Sequence, residues 1–206
     1  MVLRAEGPSF SAGLDRRMFT PEGIPGEPSF GELAVADADS FDRIVAGYQA
    51  AFSWLRDPAL ISVAAVQGHA VGAGFQLALA CDLRVVAHDV QFAMLEPSLG
   101  LVPDLGGTQP LVQAVGYSRA LELCVSGRRL GATEAVAWGL ATRAVAPAEL
   151  RQAAADLAGA LTVAPLRAVL ETKALLQSAA DRTYEEQLLA ERTAQRRRIR
   201  DLAGSE

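Results

Sequence analysis

The chain has 206 residues, 50% of them hydrophobic and 21% charged, with a formal net charge of −5. That length supports one sizeable core, or a core with an appended subdomain, and the acidic balance leaves no general nucleic-acid footprint. With only two histidines (His69, His88) and two cysteines (Cys81, Cys124), a histidine-rich zinc site and a disulfide framework are excluded, and both thiols are expected free and buried.

In chain order, Val2 to Arg4 predicts a strand that runs into the turn signal Glu6-Gly7-Pro8. The opening decade lacks the basic region and apolar run of a secretory leader. Glycines and Gln76 interrupt the apolar stretch 70–80, so no membrane span is expected and the protein reads as cytoplasmic. Between Phe19 and Ala38, the residues Pro21, Gly23, Pro25, Gly26, Pro28 and Gly31 predict a loop. Asp39 or Ser40 is placed to cap a helix. Its apolar face, at three- and four-residue spacing, would be Phe41, Ile44, Val45, Tyr48, Phe52 and Leu55, and Asp57-Pro58 would end it.

Leu60 to Val66 is an apolar run broken only by Ser62, the pattern of a strand buried on both faces. Gln67-Gly68 turns the chain, 73–80 predicts a helix, and 83–87 and 91–94 predict further strands. This alternation argues for an α/β architecture. From Leu111 onward helical signals dominate. Pro147 to Leu150 opens a helix with Leu150, Ala154, Leu157 and Leu161 on one side. Pro165 can begin the next, and Thr183 can cap a last one. The expected organisation is a core over 1–145 and a helical subdomain over 146–206.

Three segments could carry chemistry. The first, His69 to Leu77, follows a buried strand and opens a helix. Its glycines could let a ligand reach backbone N–H groups at a helix N-terminus, or could serve close strand–helix packing. Leu77 stands where a dinucleotide fingerprint needs glycine, so that fingerprint fails. The second, Pro8 to Asp15, follows the first strand in the same way. Two such loops could aim two N–H donors at one oxygen, each worth roughly 3–4 kcal/mol to an oxyanion. The third, Phe92 to Thr108, places Glu96 and Asp104 in an apolar stretch, where burial would suit carboxylates to proton transfer. Alternatively, Asp104 caps the helix near Gly107 and Glu96 is a solvated loop residue.

Together and in this order, these segments resemble the crotonase superfamily, the enoyl-CoA hydratase/isomerase family. "FSAGLD" is similar to the first oxyanion-loop motif. "VQGHAVGAGFQLALACDLRVVA" is similar to the second loop with its helix and strand. "FAMLEPSLGLVPDLGGTQPLVQAVG" resembles the catalytic-carboxylate segment, and "SGRRLGATEAVAWGLATRAV" the approach to the C-terminal helices. The resemblance implies a crotonase-like ββα spiral core, incomplete at the N-terminus, with a C-terminal helical oligomerisation subdomain lacking the last helix. It implies an oxyanion hole from the backbone N–H groups of Leu14 and Ala73. Ala12, Gly13, Asp15, Arg17, Gly72 and Gly74 would surround the substrate, and Arg16 or Arg17 would meet CoA phosphates or lie solvated.

The resemblance further implies an acyl-CoA substrate, with coenzyme A part of that substrate and no other cofactor or metal. It implies a homo-oligomer, trimer or hexamer. Where typical hydratases carry their first glutamate this chain has Gln76, whereas Glu96 matches the second. Gln76 is a candidate catalytic residue that could position a water or substrate, but an amide is no carboxylate base, so double-bond isomerisation is favoured over hydration. Asp104 matches an acidic position of dienoyl-CoA isomerase relatives and could share the proton with Glu96, or be a helix cap. A non-catalytic acyl-CoA binder and a CoA thioester hydrolase or decarboxylase are the alternatives.

Overall fold

The computed structural model describes residues 1–20 and 22–204. Pro21 of the expected loop, and Ser205 and Glu206 at the end, lie outside the described residues. The strands in chain order are β1 (Val2–Arg4), β2 (Val63–Val66), β3 (His69–Val71), β4 (Leu83–Ala87), β5 (Gln91–Ala93), β6 (Leu130–Gly131) and β7 (Arg143–Val145). The helices are α1 (Phe30–Val35), α2 (Ala38–Ser53), α3 (Ala73–Ala80), α4 (Thr108–Val115), α5 (Tyr117–Ser126), α6 (Ala132–Ala137), α7 (Leu150–Leu161), α8 (Leu166–Gln177) and α9 (Tyr184–Ala203).

Two sheets result. One is four-stranded and parallel, in the order β1-β2-β4-β7. The other runs β3-β5-β6, with β3 parallel and β6 antiparallel to β5. β2 shows why a continuous apolar run suits a central strand. Ala64 and Val66 join the larger core with Phe75, Leu79, Phe92 and Leu111, while Val63 and Ala65 turn the other way onto Leu150, Ala153 and Ala154 of α7. The first helix after residue 145 therefore covers the outer face of the sheet. Phe75 and Phe92 pack with ring centroids 4.9 Å apart and tie α3 to β5, a contact worth roughly 0.5–1.5 kcal/mol beyond burial.

The sequence expectations are corrected at several points. Inside the expected loop 19–38 lies α1, held by a capping box. The Ser29 hydroxyl accepts from Glu32 N at 3.3 Å, and the Glu32 carboxylate accepts from Ser29 N at 2.7 Å. α2 is capped by Asp37, two residues before the first expected cap. Of its expected apolar face, Leu55 is buried, Ile44, Val45, Tyr48 and Phe52 are half-buried, and Phe41 is exposed. β3 occupies residues read as a turn into a helix, and β6 and β7 are strands within the stretch read as helical. Thr183 caps α9 as expected.

Two buried cations knit the fold. Arg84 donates to the carbonyl oxygens of Leu140, Ala78 and Cys81. Lys173 of α8 reaches Asp82 Oδ2 at 2.9 Å, the Asp57 carbonyl at 2.8 Å and the Leu60 carbonyl, so the C-terminal helices are bolted to the ends of α2 and β2. Both cysteines are free, Cys81 buried and Cys124 half-buried. Among the described residues no helix is long and apolar enough to cross a membrane, and no group of side chains is arranged to hold a metal.

Candidate active site

Two glycine-bearing loops lie side by side because the chain after β1 runs along β3. Phe10 N donates to Gln67 O and Ser11 N to His69 O, both at 2.9 Å, and Val71 N returns to Ser11 O at 3.0 Å. This brings Ala12 to Leu14 against Val71 to Ala73. Gly13 has φ +98°, and a Cβ there would stand 2.9 Å from Val71 O and 3.9 Å from Ala73 N, so the approach requires glycine. At Gly74 a Cβ would meet the Ser11 side chain at 2.5 Å. That glycine serves close packing and does not line the cavity.

Ala73 is the first residue of α3, where the leading N–H groups have no partner within the helix. Among the described residues, neither the Ala73 N–H nor the Leu14 N–H has a hydrogen-bond acceptor. Both residues line a cavity of about 520 Å³ together with Ala12, Gly13, Gly72 and Glu96. Leu14, Phe19, Val71, Leu95, Leu99 and Leu101 make its walls apolar, and Arg16 also lines it.

Glu96 opens a 3-10 turn, Glu96–Leu99, after β5. Its Oε1 accepts from Gln76 Nε2 at 2.7 Å. Its Oε2 is buried and has no hydrogen-bond partner among the described residues. It is the one carboxylate among the residues lining the cavity. Gln76 lies behind it in α3, 1% exposed.

The other expected site residues are placed differently. Asp104 does not line the cavity. Its backbone carbonyl accepts from Gln49 Nε2 at 2.7 Å, and partial burial pushes its carboxyl pKa up. It does not cap α4 either, since Gly107 occupies the N-cap with no side-chain bond there. Arg17 grips Asp15 at 2.7 Å, and that hydrogen bond holds the Asp15 carboxyl down at about 2. The pair satisfies itself outside the cavity lining, and Arg16 is the cation among the lining residues. The apolar walls Phe19, Leu95, Leu99 and Leu101 gave no sequence signal, because they come from short 3-10 turns and loops without periodicity.

The paired sheets and interlocked loops define the crotonase class of α/β proteins. The sequence pattern of the Enoyl-CoA hydratase/isomerase family matches residues 30–203, and the chain belongs to that family. YhaR of Bacillus subtilis, described as an enoyl-CoA hydratase/isomerase, is 35% identical over 199 residues, 96% of this chain and 72% of YhaR. Carnitinyl-CoA dehydratase of Escherichia coli K12 is 40% identical over 124 residues, 60% of this chain and 48% of that protein. A Thermobifida fusca protein described as an enoyl-CoA hydratase, solved in complex with CoA, superposes with a TM-score of 0.93 at 46% identity, covering 99% of this chain and 77% of that one. Its complex with acetoacetyl-CoA gives a TM-score of 0.92 at 47% identity, covering 97% and 77%.

Proposed function

We propose that this protein acts on an acyl-CoA thioester through an oxyanion-stabilised enolate and moves a double bond along the acyl chain. The observation that carries the reading is that Glu96, whose buried Oε2 has no hydrogen-bond partner among the described residues, lines the same cavity as Leu14 and Ala73, whose N–H groups have no acceptor among those residues. The thioester oxygen would accept from both N–H groups. Such donors count most where charge develops, and losing one typically costs about 10²–10³ in rate. Glu96 Oε2 would take a proton from C2 of a 3-enoyl thioester, leaving a dienolate whose negative charge rests on that oxygen. Return of the proton to C4 gives the 2-enoyl isomer with nothing added or lost.

The apolar walls suit an aliphatic acyl group, and Arg16, which lines the cavity, would meet a CoA phosphate. The Thermobifida fusca complexes with CoA and acetoacetyl-CoA support the substrate class. A homo-oligomer, trimer or hexamer, is part of the proposal. Leu166, Leu176, Leu189, Ile199 and Leu202 of α8 and α9 are exposed and support it. Light scattering checks it, and a clean monomer would contradict it.

Incubation with 3-enoyl-CoA and 2-enoyl-CoA, followed by mass and absorbance, tests the reaction. A shifted double bond at unchanged elemental composition supports isomerisation. Gain of one water would replace it by hydration, and release of free CoA thiol by thioester hydrolysis. Binding without any change would make the protein an acyl-CoA binder.

A further inference from the structure

Gln76 faces the carboxylate of Glu96 from inside the protein. Its side-chain amide carries two N–H donors and one acceptor oxygen. The oxygen accepts from Leu105 N at 2.9 Å and from Gly107 N at 3.2 Å. Backbone N–H groups only donate, so the atom that meets them is the oxygen, and the NH₂ is left to meet Glu96. That NH₂ donates to Glu96 Oε1 at 2.7 Å. The loop before α4 presses directly on this side chain, since a Cβ at Gly107 would stand 2.7 Å from Gln76 Cγ.

We propose that Gln76 is a positioning residue for Glu96. It ties down Oε1, leaves Oε2 as the single oxygen that exchanges protons with substrate, and joins the 105–107 loop to that carboxylate. Its own oxygen is spent on two backbone donors, so it has no acceptor to offer a nucleophilic water. The inference rests on the acyl-CoA reading above and deepens it, because one oriented oxygen suits a proton carried between two carbons better than activation of water. Misplacing a reacting group by about 1 Å can cost 10²-fold in rate.

The test uses two variants. Gln76→Glu keeps an oxygen for Leu105 N and Gly107 N but replaces the donor to Glu96. Gln76→Met removes both functions at similar volume. For each, kcat for 3-enoyl-CoA isomerisation is set against the Kd of butyryl-CoA, measured by calorimetry. The expected result is a fall in kcat of about 10-fold or more in both variants, with Kd within about threefold of the parent. Two results overturn the proposal: kcat within about twofold in either variant that folds, or kcat and affinity lost together, which marks a general structural role. If the parent protein turns over no enoyl-CoA, the reading beneath fails and the inference with it. A parent that isomerises but ignores both substitutions sinks only the role of Gln76.

Discussion

Gly72 lies against the Glu96 carboxylate: a Cβ at that glycine would stand 3.5 Å from Oε1 and 3.7 Å from Oε2. The same residue has φ +53° and directly precedes Ala73, the first residue of α3. One backbone turn therefore joins the proposed proton carrier to a proposed oxyanion donor. Gly72→Ala should cost about 1–3 kcal/mol of stability from strain at that φ and should lower kcat more than it weakens acyl-CoA binding. Urea unfolding and initial rates check both effects, and an unchanged kcat would detach this turn from the chemistry.

Lys173 is 7% exposed, and it joins Asp82, 91 residues away, and two carbonyl groups 116 and 113 residues away. Removing one partner of a buried pair typically costs about 3–5 kcal/mol, because the other charge is stranded. Lys173→Met should lower the urea midpoint accordingly, by less if Asp82, which is 20% exposed, gains water. Stability equal to the parent would mean that the C-terminal helices are held by other contacts.

Cys81 supplies an alkaline limit. Burial pushes its thiol up to about 11 from an ordinary value of 9.0. Because the folded pKa is raised, the stabilisation is whole below pH 9, where both states keep the proton. It is lost as pH rises toward 11, where the unfolded chain ionises first. The loss amounts to about 3 kcal/mol. The difference in unfolding free energy between the parent and Cys81→Ala, followed from pH 8 to 11, should shrink by about that amount, and a pH-independent difference would contradict it.

Asp104 carries a raised carboxyl pKa but lies outside the cavity lining. Asp104→Asn should therefore keep kcat within about threefold of the parent. A loss comparable to that of a Glu96 substitution would give Asp104 a share in returning the proton.

Helix α3 was readable at both ends because Gly72 precedes a compact apolar run that Cys81 and Asp82 close. β2 was readable because burial on both faces leaves a continuous apolar string, and β4 because Val85 to Ala87 does the same after Arg84. β3, β6 and β7 have two or three residues each, too few for a period. Partners distant in sequence define them: Ala70 opposite Phe92, Leu130 beside Phe92, and Ala144 opposite Val86. The Ser29–Glu32 capping box was present in the sequence but submerged in prolines and glycines. In the site, the glycines and Glu96 stood out, whereas the grip of Gln76 on Leu105 and Gly107 spans about thirty residues and leaves no local signature.

In the proposed reaction Glu96 moves a proton while the thioester oxygen is held by backbone donors. This is tested most directly by deuterium exchange at C2 of 3-enoyl-CoA in heavy water, compared between the parent and Glu96→Gln. Exchange accompanied by double-bond migration is expected in the parent. Both should be lost in Glu96→Gln by about 10³-fold or more, with acyl-CoA affinity nearly unchanged. Exchange that survives in Glu96→Gln would overturn the role of Glu96, since the proton would then be moved by another group.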